Sequence, residues 1–312
     1  MMQNFGVKNE KLLHQKKDDN KSLMNLDDIQ KYLQLKGIFV IKKIASTIQG
    51  KIYLCNKNGR SIVAKIASTM LHKKGVSQII NGKIVKTREN IVKEIKIIKH
   101  LKYRNPPKGY INLVDYSVNK DYIIFCMDYC GIDMFDYVKM NISKVELGIL
   151  KPESWANHVR ILFKQMVDII HFLHNIAHVC HKDISIENFL INNCVIKDGK
   201  FISHGNINIC DFGLSEFYGK TAPKFKTNKP TGKAFYQAPE IYNERQRVYD
   251  GRLLDLWSLG ITLFVMEFGF FPKNSDISAL PSGNFKNCIK SMLCFYKNRS
   301  YITDIMSCPY LS

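Results

Sequence analysis

His181-Lys182-Asp183-Ile184-Ser185-Ile186-Glu187-Asn188 lies between a stretch of helical periodicity and an apolar run, Phe189-Leu190-Ile191. A second run, Ile207-Asn208-Ile209-Cys210, delivers Asp211-Phe212-Gly213. Two short strands at these places bring Asp183, Asn188 and Asp211 near one another. Their oxygens are hard donors, suited to Mg²⁺ and to a hydroxyl nucleophile. Asp and Asn also favour loops for their own sake, but turns alone do not require the joint pattern.

Upstream of this segment, Val159, Leu162, Phe163, Met166, Ile169, Ile170 and Leu173 form the broad apolar face of a helix, with Ser154 as its N-cap and an end near His181. Downstream, Leu253 to Phe268 is apolar nearly all round and predicts a central helix. Residues before Gly131 read differently. Ile38–Ile41, Lys51–Cys55 and Ser61–Lys65 are short β-like runs, punctuated by Gln49-Gly50 and Asn58-Gly59. After an insertion from Leu71 to Lys86 comes a helix with Ile91, Glu94, Ile98 and Leu101 on one face. Two more strands, Ile111 to Val118 and Tyr122 to Met127, complete this strand-rich lobe.

Composition bounds the answer. With 312 residues, 46% hydrophobic and 23% charged, the chain has room for one large domain or two modest lobes and is neither disordered nor fibrous. Lys plus Arg number 46 against 27 acids, a net +19 that attracts anionic ligands. The lysines are spread along the chain, so binding to nucleic acid or an anionic membrane surface has no motif behind it. Nine cysteines, with no C-x-x-C pair, predict buried thiols in a reducing compartment. Residues Met1 to Asn20 lack the apolar run of a signal peptide, and no stretch reaches the ~18 apolar residues of a membrane span. The expected location is cytoplasmic, with the nucleus also open.

The sequence resembles the eukaryotic protein kinases over about residues 37 to 312. Five motifs occur in the family's order: the catalytic loop H-x-D-x-x-x-x-N, the D-F-G triplet, Ala238-Pro239-Glu240, Asp255-Leu256-Trp257-Ser258-Leu259-Gly260 and Arg299. The resemblance implies an α+β, bilobal fold, with an N-lobe and hinge at 37–130 carrying an antiparallel sheet and one helix, and a mainly α-helical C-lobe at 131–312; before it, the charged clusters of a polar leader at 1–36 read as a flexible or loosely helical extension. It implies ATP and Mg²⁺ as cofactors and transfer of the γ-phosphoryl group to a serine or threonine of a protein substrate. Asp183 would accept the hydroxyl proton, while Asn188 and Asp211 would hold Mg²⁺. Lys65 matches the family's strand lysine and Glu94 its helix glutamate. A lone strand lysine is ordinarily an edge charge, but Glu94 shares its face with Ile91 and Ile98, and an acid facing the core needs a partner.

By the same resemblance Ile52, Ala64 and Leu190 would sandwich adenine, Met127 would be the gatekeeper, and Asp128, Tyr129 and Cys130 would offer backbone hydrogen bonds. Cys210 would lie behind the nucleotide. Phe212, His181 and Ile98 match a stacked apolar column. Asp255 would hold the catalytic-loop backbone, and Glu240 and Arg299 would form a buried ion pair.

The sequence departs from the family in four places. The phosphate-covering loop, Ala45-Ser46-Thr47-Ile48-Gln49-Gly50, keeps only its last glycine, which leaves a pseudokinase scaffold binding nucleotide or a partner as the alternative; a basic adaptor on the same fold is a third reading. Ser185 stands where the family has a phosphate-contacting lysine, and Lys233 where it has a threonine, so the two are read as a swap. Lys182 replaces an arginine that grips a phosphorylated loop, a fork that lysine cannot reproduce. Tyr218, Thr221, Thr227 and Thr231 nevertheless lie among Lys220, Lys224, Lys226 and Lys229, which suit an added phosphate. Asp133 and Glu187 are positioned to attract a basic residue near the target site, and Gly131–Tyr137 resembles the calcium/calmodulin-dependent group. No calcium-binding or docking module is expected after Ser312, so control should come from the leader, the insertion, the activation segment or a partner.

Overall fold

The computed structural model describes residues 26–47, 50–69, 72, 76–80, 83–86, 90–219, 224–226, 232–242, 248–273 and 277–312. Helix α1 (Leu26–Leu35) precedes β1 (Ile38–Ser46), β2 (Gly50–Lys57) and β3 (Arg60–Ser68). The β2–β3 turn is Asn58-Gly59, both at positive φ (52° and 79°), as a two-residue hairpin matched to strand twist requires. The insertion contains a small hairpin, β4 (Val76–Ile80) and β5 (Lys83–Lys86). Helix α2 (Ile91–Tyr103) follows, capped by Asn90, whose Oδ1 accepts the Lys93 N–H at 2.9 Å. With β6 (Leu113–Val118) and β7 (Tyr122–Asp128) the sheet is five-stranded and antiparallel in the order β1-β2-β3-β7-β6.

The expected leader 1–36 does not stay apart from the lobe. Ile29 and Leu33, one helical turn apart on α1, are buried with Ile38, Tyr53, Cys55, Ile62 and Ala64 in a core on the outer side of the sheet. Among the described residues α1 is thus a helix beyond the one expected for this lobe, since an i, i+4 apolar pair in a polar stretch suffices to dock a short helix. Residues 1–25 of that leader lie outside the described residues.

The second lobe opens with β8 (Ile132–Asp133) and α3 (Met134–Glu146), whose N-cap is Asp133, accepting the Asp136 N–H at 2.9 Å. Helix α4 (Pro152–His171) corrects two expectations. Its N-cap is Lys151, not Ser154, because Pro152 with its fixed φ and missing N–H takes the first helical position; Ser154 Oγ instead accepts the Phe201 N–H at 3.1 Å. The helix gives way to a π-helical stretch, Phe172–Ala177, stopped by His178 at φ 55°, ten residues earlier in its regular part than an end at His181.

Short β9 (Val179–Cys180) leads into the catalytic-loop segment, then β10 (Phe189–Lys197) and β11 (Lys200–Ile209) form a hairpin far longer than the two short strands expected. Beyond it lie β12 (Glu216–Phe217) paired with β9, β13 (Lys224–Lys226) paired with β14 (Val248–Asp250), α5 (Gly251–Phe268), α6 (Asn284–Met292) and α7 (Ile302–Met306). One hydrophobic cluster runs from α2 and β7 (Ile95, Ile98, Phe125) through α4 to α5 (Leu256, Leu259, Leu263), so the lobes share a core. None of the nine cysteines is paired. No helix among the described residues is long and apolar enough to cross a membrane.

Candidate active site

Strand alternation on β3 turns Ala64 to the outer core and Lys65 towards α2. Glu94, buried on the apolar face of α2, meets it: Lys65 Nζ lies 2.8 Å from Glu94 Oε2 and 3.8 Å from Asp211 Oδ1. Two carboxylates around one ammonium satisfy the charge that burial would otherwise penalise. Asp211 has φ 63°, a left-handed conformation costly for a non-glycine residue, which swings its carboxylate towards Lys65. Burial would raise the Asp211 carboxyl, but the Lys65 ammonium and the Gly213 N–H outweigh it and hold the group below its ordinary range. The Asn90 N–H donates to the Gly213 carbonyl at 2.9 Å, so the α2 N-terminus is tied to the same turn.

Asp183 and Asn188 come together across the catalytic segment. Asn188 Nδ2 donates to the Asp183 carbonyl at 2.7 Å and to Oδ2 at 3.2 Å, which leaves the Asn188 carbonyl oxygen turned away from Asp183. Burial raises the Asp183 carboxyl, partly opposed by His181 and Lys233. The segment is gripped from below by Asp255, on α5, whose two oxygens accept the His181 and Lys182 N–H groups, each at 2.8 Å, and contact His174 Nε2 at 2.9 Å. The His181 ring lies 5.1 Å from Phe212, and both are buried with Ile98.

Ser185 and Lys233, far apart in sequence, meet: Lys233 Nζ donates to Ser185 Oγ at 2.9 Å, and the Lys233 N–H donates to Asp183 Oδ1 at 3.2 Å. The same ammonium is 3.1 Å from Glu187 Oε2, which also accepts the Tyr236 hydroxyl at 3.3 Å. Glu187 is therefore already neutralised, and Asp133 is spent as a helix cap. Arg299, 4% exposed, forks onto Glu240 at 2.7 and 3.1 Å.

Among the nucleotide-facing candidates, Ala64 is buried, Ile52, Met127 and Leu190 are half-buried, and Cys210 precedes Asp211 with its carbonyl 3.1 Å from His181 Nε2. The Asp128 N–H donates to Asn112 at 3.1 Å and the Tyr129 N–H to Ser61 at 3.4 Å. Two of the three hinge amides are thus committed to the sheet, which leaves the Cys130 peptide for a base. The Cys130 thiol, pushed up to about 11 chiefly by burial, points at the Asp128 carbonyl at 3.7 Å. Ala45 and Thr47 flank a closed turn in which the Gly50 N–H donates to Thr47 Oγ1 at 3.1 Å. Gly50 has a purely local reason to be glycine: a Cβ there would lie 1.8 Å from the Ile66 carbonyl oxygen. Ile48, Gln49, Thr221, Thr227, Thr231, Lys220 and Lys229 lie outside the described residues.

The protein kinase domain family matches residues 38–303. The chain belongs to this family. It is 31% identical over 185 residues to CBL-interacting protein kinase 5 of Oryza sativa subsp. japonica, covering 59% of this chain and 34% of that protein. To serine/threonine-protein kinase ppk34 of Schizosaccharomyces pombe it is 31% identical, covering 60% and 46%, and to serine/threonine-protein kinase SRK2B of Arabidopsis thaliana 27% identical, covering 72% and 55%. The chain spans between a third and about half of the length of these relatives. Two residues of this kinase domain escaped sequence reasoning. Tyr236, whose hydroxyl accepts the Ile186 N–H at 3.3 Å as it reaches Glu187, and His174, which meets Asp255, are both brought in by tertiary contact with no local spacing to announce them.

Proposed function

We propose that this chain is an ATP-dependent serine/threonine protein kinase. The observation that carries the reading is the assembled ion triad, Lys65 between Glu94 and Asp211, on the same cleft as Asp183. A degenerate glycine loop alone would suit a scaffold, but a scaffold has no use for three charged groups drawn together in a half-dry cleft at the cost of their hydration.

In this reading Lys65 holds nucleotide phosphates and the hinge peptide of Cys130 meets the base between Ala64, Ile52 and Leu190. The oxygens of Asp211 and the carbonyl of Asn188 form a hard donor set that fits Mg²⁺, which when bound neutralises phosphate charge. Asp183 orients the substrate hydroxyl and takes its proton as the oxygen bonds to the γ-phosphorus; the bond to the bridging oxygen breaks and its electron pair leaves with ADP. The raised carboxyl of Asp183 brings its proton affinity closer to that task. Lys233 supplies from the far side of the segment the positive charge that a lysine at Ser185 would supply elsewhere in the family. Protein substrates follow from the hydroxyl chemistry, and the nine unpaired thiols favour a reducing compartment, cytoplasmic or nuclear.

The test is transfer of labelled phosphate from ATP to a generic basic protein. Wild type should transfer and Asp183→Asn should fall by about 10²–10⁴-fold. A folded wild type that shifts its melting temperature with Mg²⁺ and ATP yet transfers nothing would favour the scaffold.

A further inference from the structure

Lys93 and Lys182 come from opposite sides of the cleft, and each is the chain neighbour of a residue in the machinery: Lys93 precedes Glu94 on α2, and Lys182 precedes Asp183. Both ammoniums converge on one carboxylate. Glu216 Oε1 is 2.9 Å from Lys182 Nζ and 3.7 Å from Lys93 Nζ. Glu216 sits on β12, five residues after Asp211, and its backbone register against Cys180 on β9 is set by the strand pair. One acid therefore ties together α2, the catalytic segment and the strand that leaves Asp211-Phe212-Gly213.

The contact is part-exposed at Glu216 (38%) and Lys93 (31%) and anchored below the surface at Lys182. The Lys182 side chain is only 10% exposed, its residue is in the left-handed region at φ 65°, its N–H is held by Asp255, and its Nζ also lies 5.0 Å over the Phe225 ring of β13. Burial holds the Lys93 ammonium below the ordinary lysine range, with Glu216 opposing that fall and Lys182 adding to it. Remove the carboxylate and two positive groups face each other across the junction on which the Lys65–Glu94 pair depends. The alternative source of negative charge, a phosphate on the segment, has a poor acceptor in Tyr218, whose hydroxyl is already given to the His174 carbonyl.

We infer that Glu216 is a positioning residue that clamps Lys93 and Lys182 and so holds α2 and the catalytic segment in register without phosphorylation of the activation segment. The clamp is permanent because a carboxylate is encoded where a transferred phosphate would otherwise be needed. It rests on the kinase reading above, and it makes this kinase active as synthesised.

Three measurements on the full chain decide it. Wild type treated with a protein phosphatase, with mass spectrometry showing no phosphate left, should keep its kcat within about twofold, whereas Glu216→Gln should lose about tenfold in kcat with KM for ATP little changed, the size of an ordinary coupling between elements. The charge-reversed triple Glu216→Lys with Lys182→Glu and Lys93→Glu, which rebuilds both ion pairs, should recover most of that loss, which a general packing role would not allow. Deuterium exchange without substrate should rise over residues 91–103 in Glu216→Gln while α5 stays protected. Phosphatase-sensitive wild-type activity, unchanged kcat in Glu216→Gln, or no recovery in the reversed triple would each overturn the clamp. If Glu216→Gln does not melt cooperatively, the reversed triple, which keeps both ion pairs, decides alone. Because exchange is read without turnover, a wild type that transfers no phosphate sinks the kinase reading and leaves the clamp to be judged by exchange.

Discussion

Lys233 serves three groups at once. Its ammonium reaches Ser185 and Glu187, and its backbone N–H reaches Asp183. A neutral Ser185 in a fully buried position needs a donor or acceptor partner, and in the proposed reaction an ammonium beside Asp183 would stabilise charge that develops during transfer. Lys233→Ala should therefore lower kcat by about 10–100-fold with a smaller change in KM for ATP, read from initial rates. An unchanged rate constant would disprove the exchange of roles between Ser185 and Lys233. The same ammonium also bears on specificity. With Glu187 neutralised, a peptide array should show no strong requirement for Arg or Lys upstream of the target hydroxyl.

At the scale of elements, the chemistry-bearing turns could be read because their residue types are few and their spacing is rigid. Asp183 and Asn188 meet at hydrogen-bond distance, and the β10–β11 hairpin leads Asp211 close enough to act on the Asp183 carboxyl. The errors fell where tertiary context or turn chemistry was decisive. The β10–β11 hairpin extends to Asp198-Gly199, at φ 51° and 70°, the turn signal that the sequence carried and that reading only its apolar ends passed over. Helix α1 was legible only as a loosely helical extension because its apolar pair, Ile29 and Leu33, sits among charges, and a short helix is marginal until it docks. That dependence is testable: Leu33→Ala, at a residue 1% exposed, should cost about 2–4 kcal/mol in urea unfolding and leave phosphotransfer by the folded fraction intact. The commitment of Glu187 could not be seen in one dimension, since its partners Lys233 and Tyr236 arrive from a separate loop.

For the molecule as a whole, stability should depend on pH through a group far from the cleft. Glu267, on α5, has an Oε2 with no hydrogen-bond partner among the described residues, and burial raises its carboxyl to about 7 from 4.5. The folded state then holds a proton that the unfolded chain has released between those values. Stability from this site is thus fully present below pH 4.5 and lost as pH rises through 7. Glu267→Gln should melt several degrees higher than wild type at pH 8 and about the same at pH 5, a gain of roughly 1–3 kcal/mol at the higher pH. Equal melting of the two proteins at pH 8 would show that the carboxylate finds hydration there.

The grip of Asp255 on the backbone of His181 and Lys182 sets how the protein fails on heating. His178, Lys182 and Asp211 all hold left-handed backbone, each at a cost of about 1–2 kcal/mol, and one carboxylate on the most apolar helix fastens the middle of that stretch. An unfavourable conformation survives only while its anchor does, and this anchor lies on α5, a helix buried along most of its length. Thermal inactivation should consequently follow loss of the whole fold in a single step, with no warm, folded and idle form preceding it.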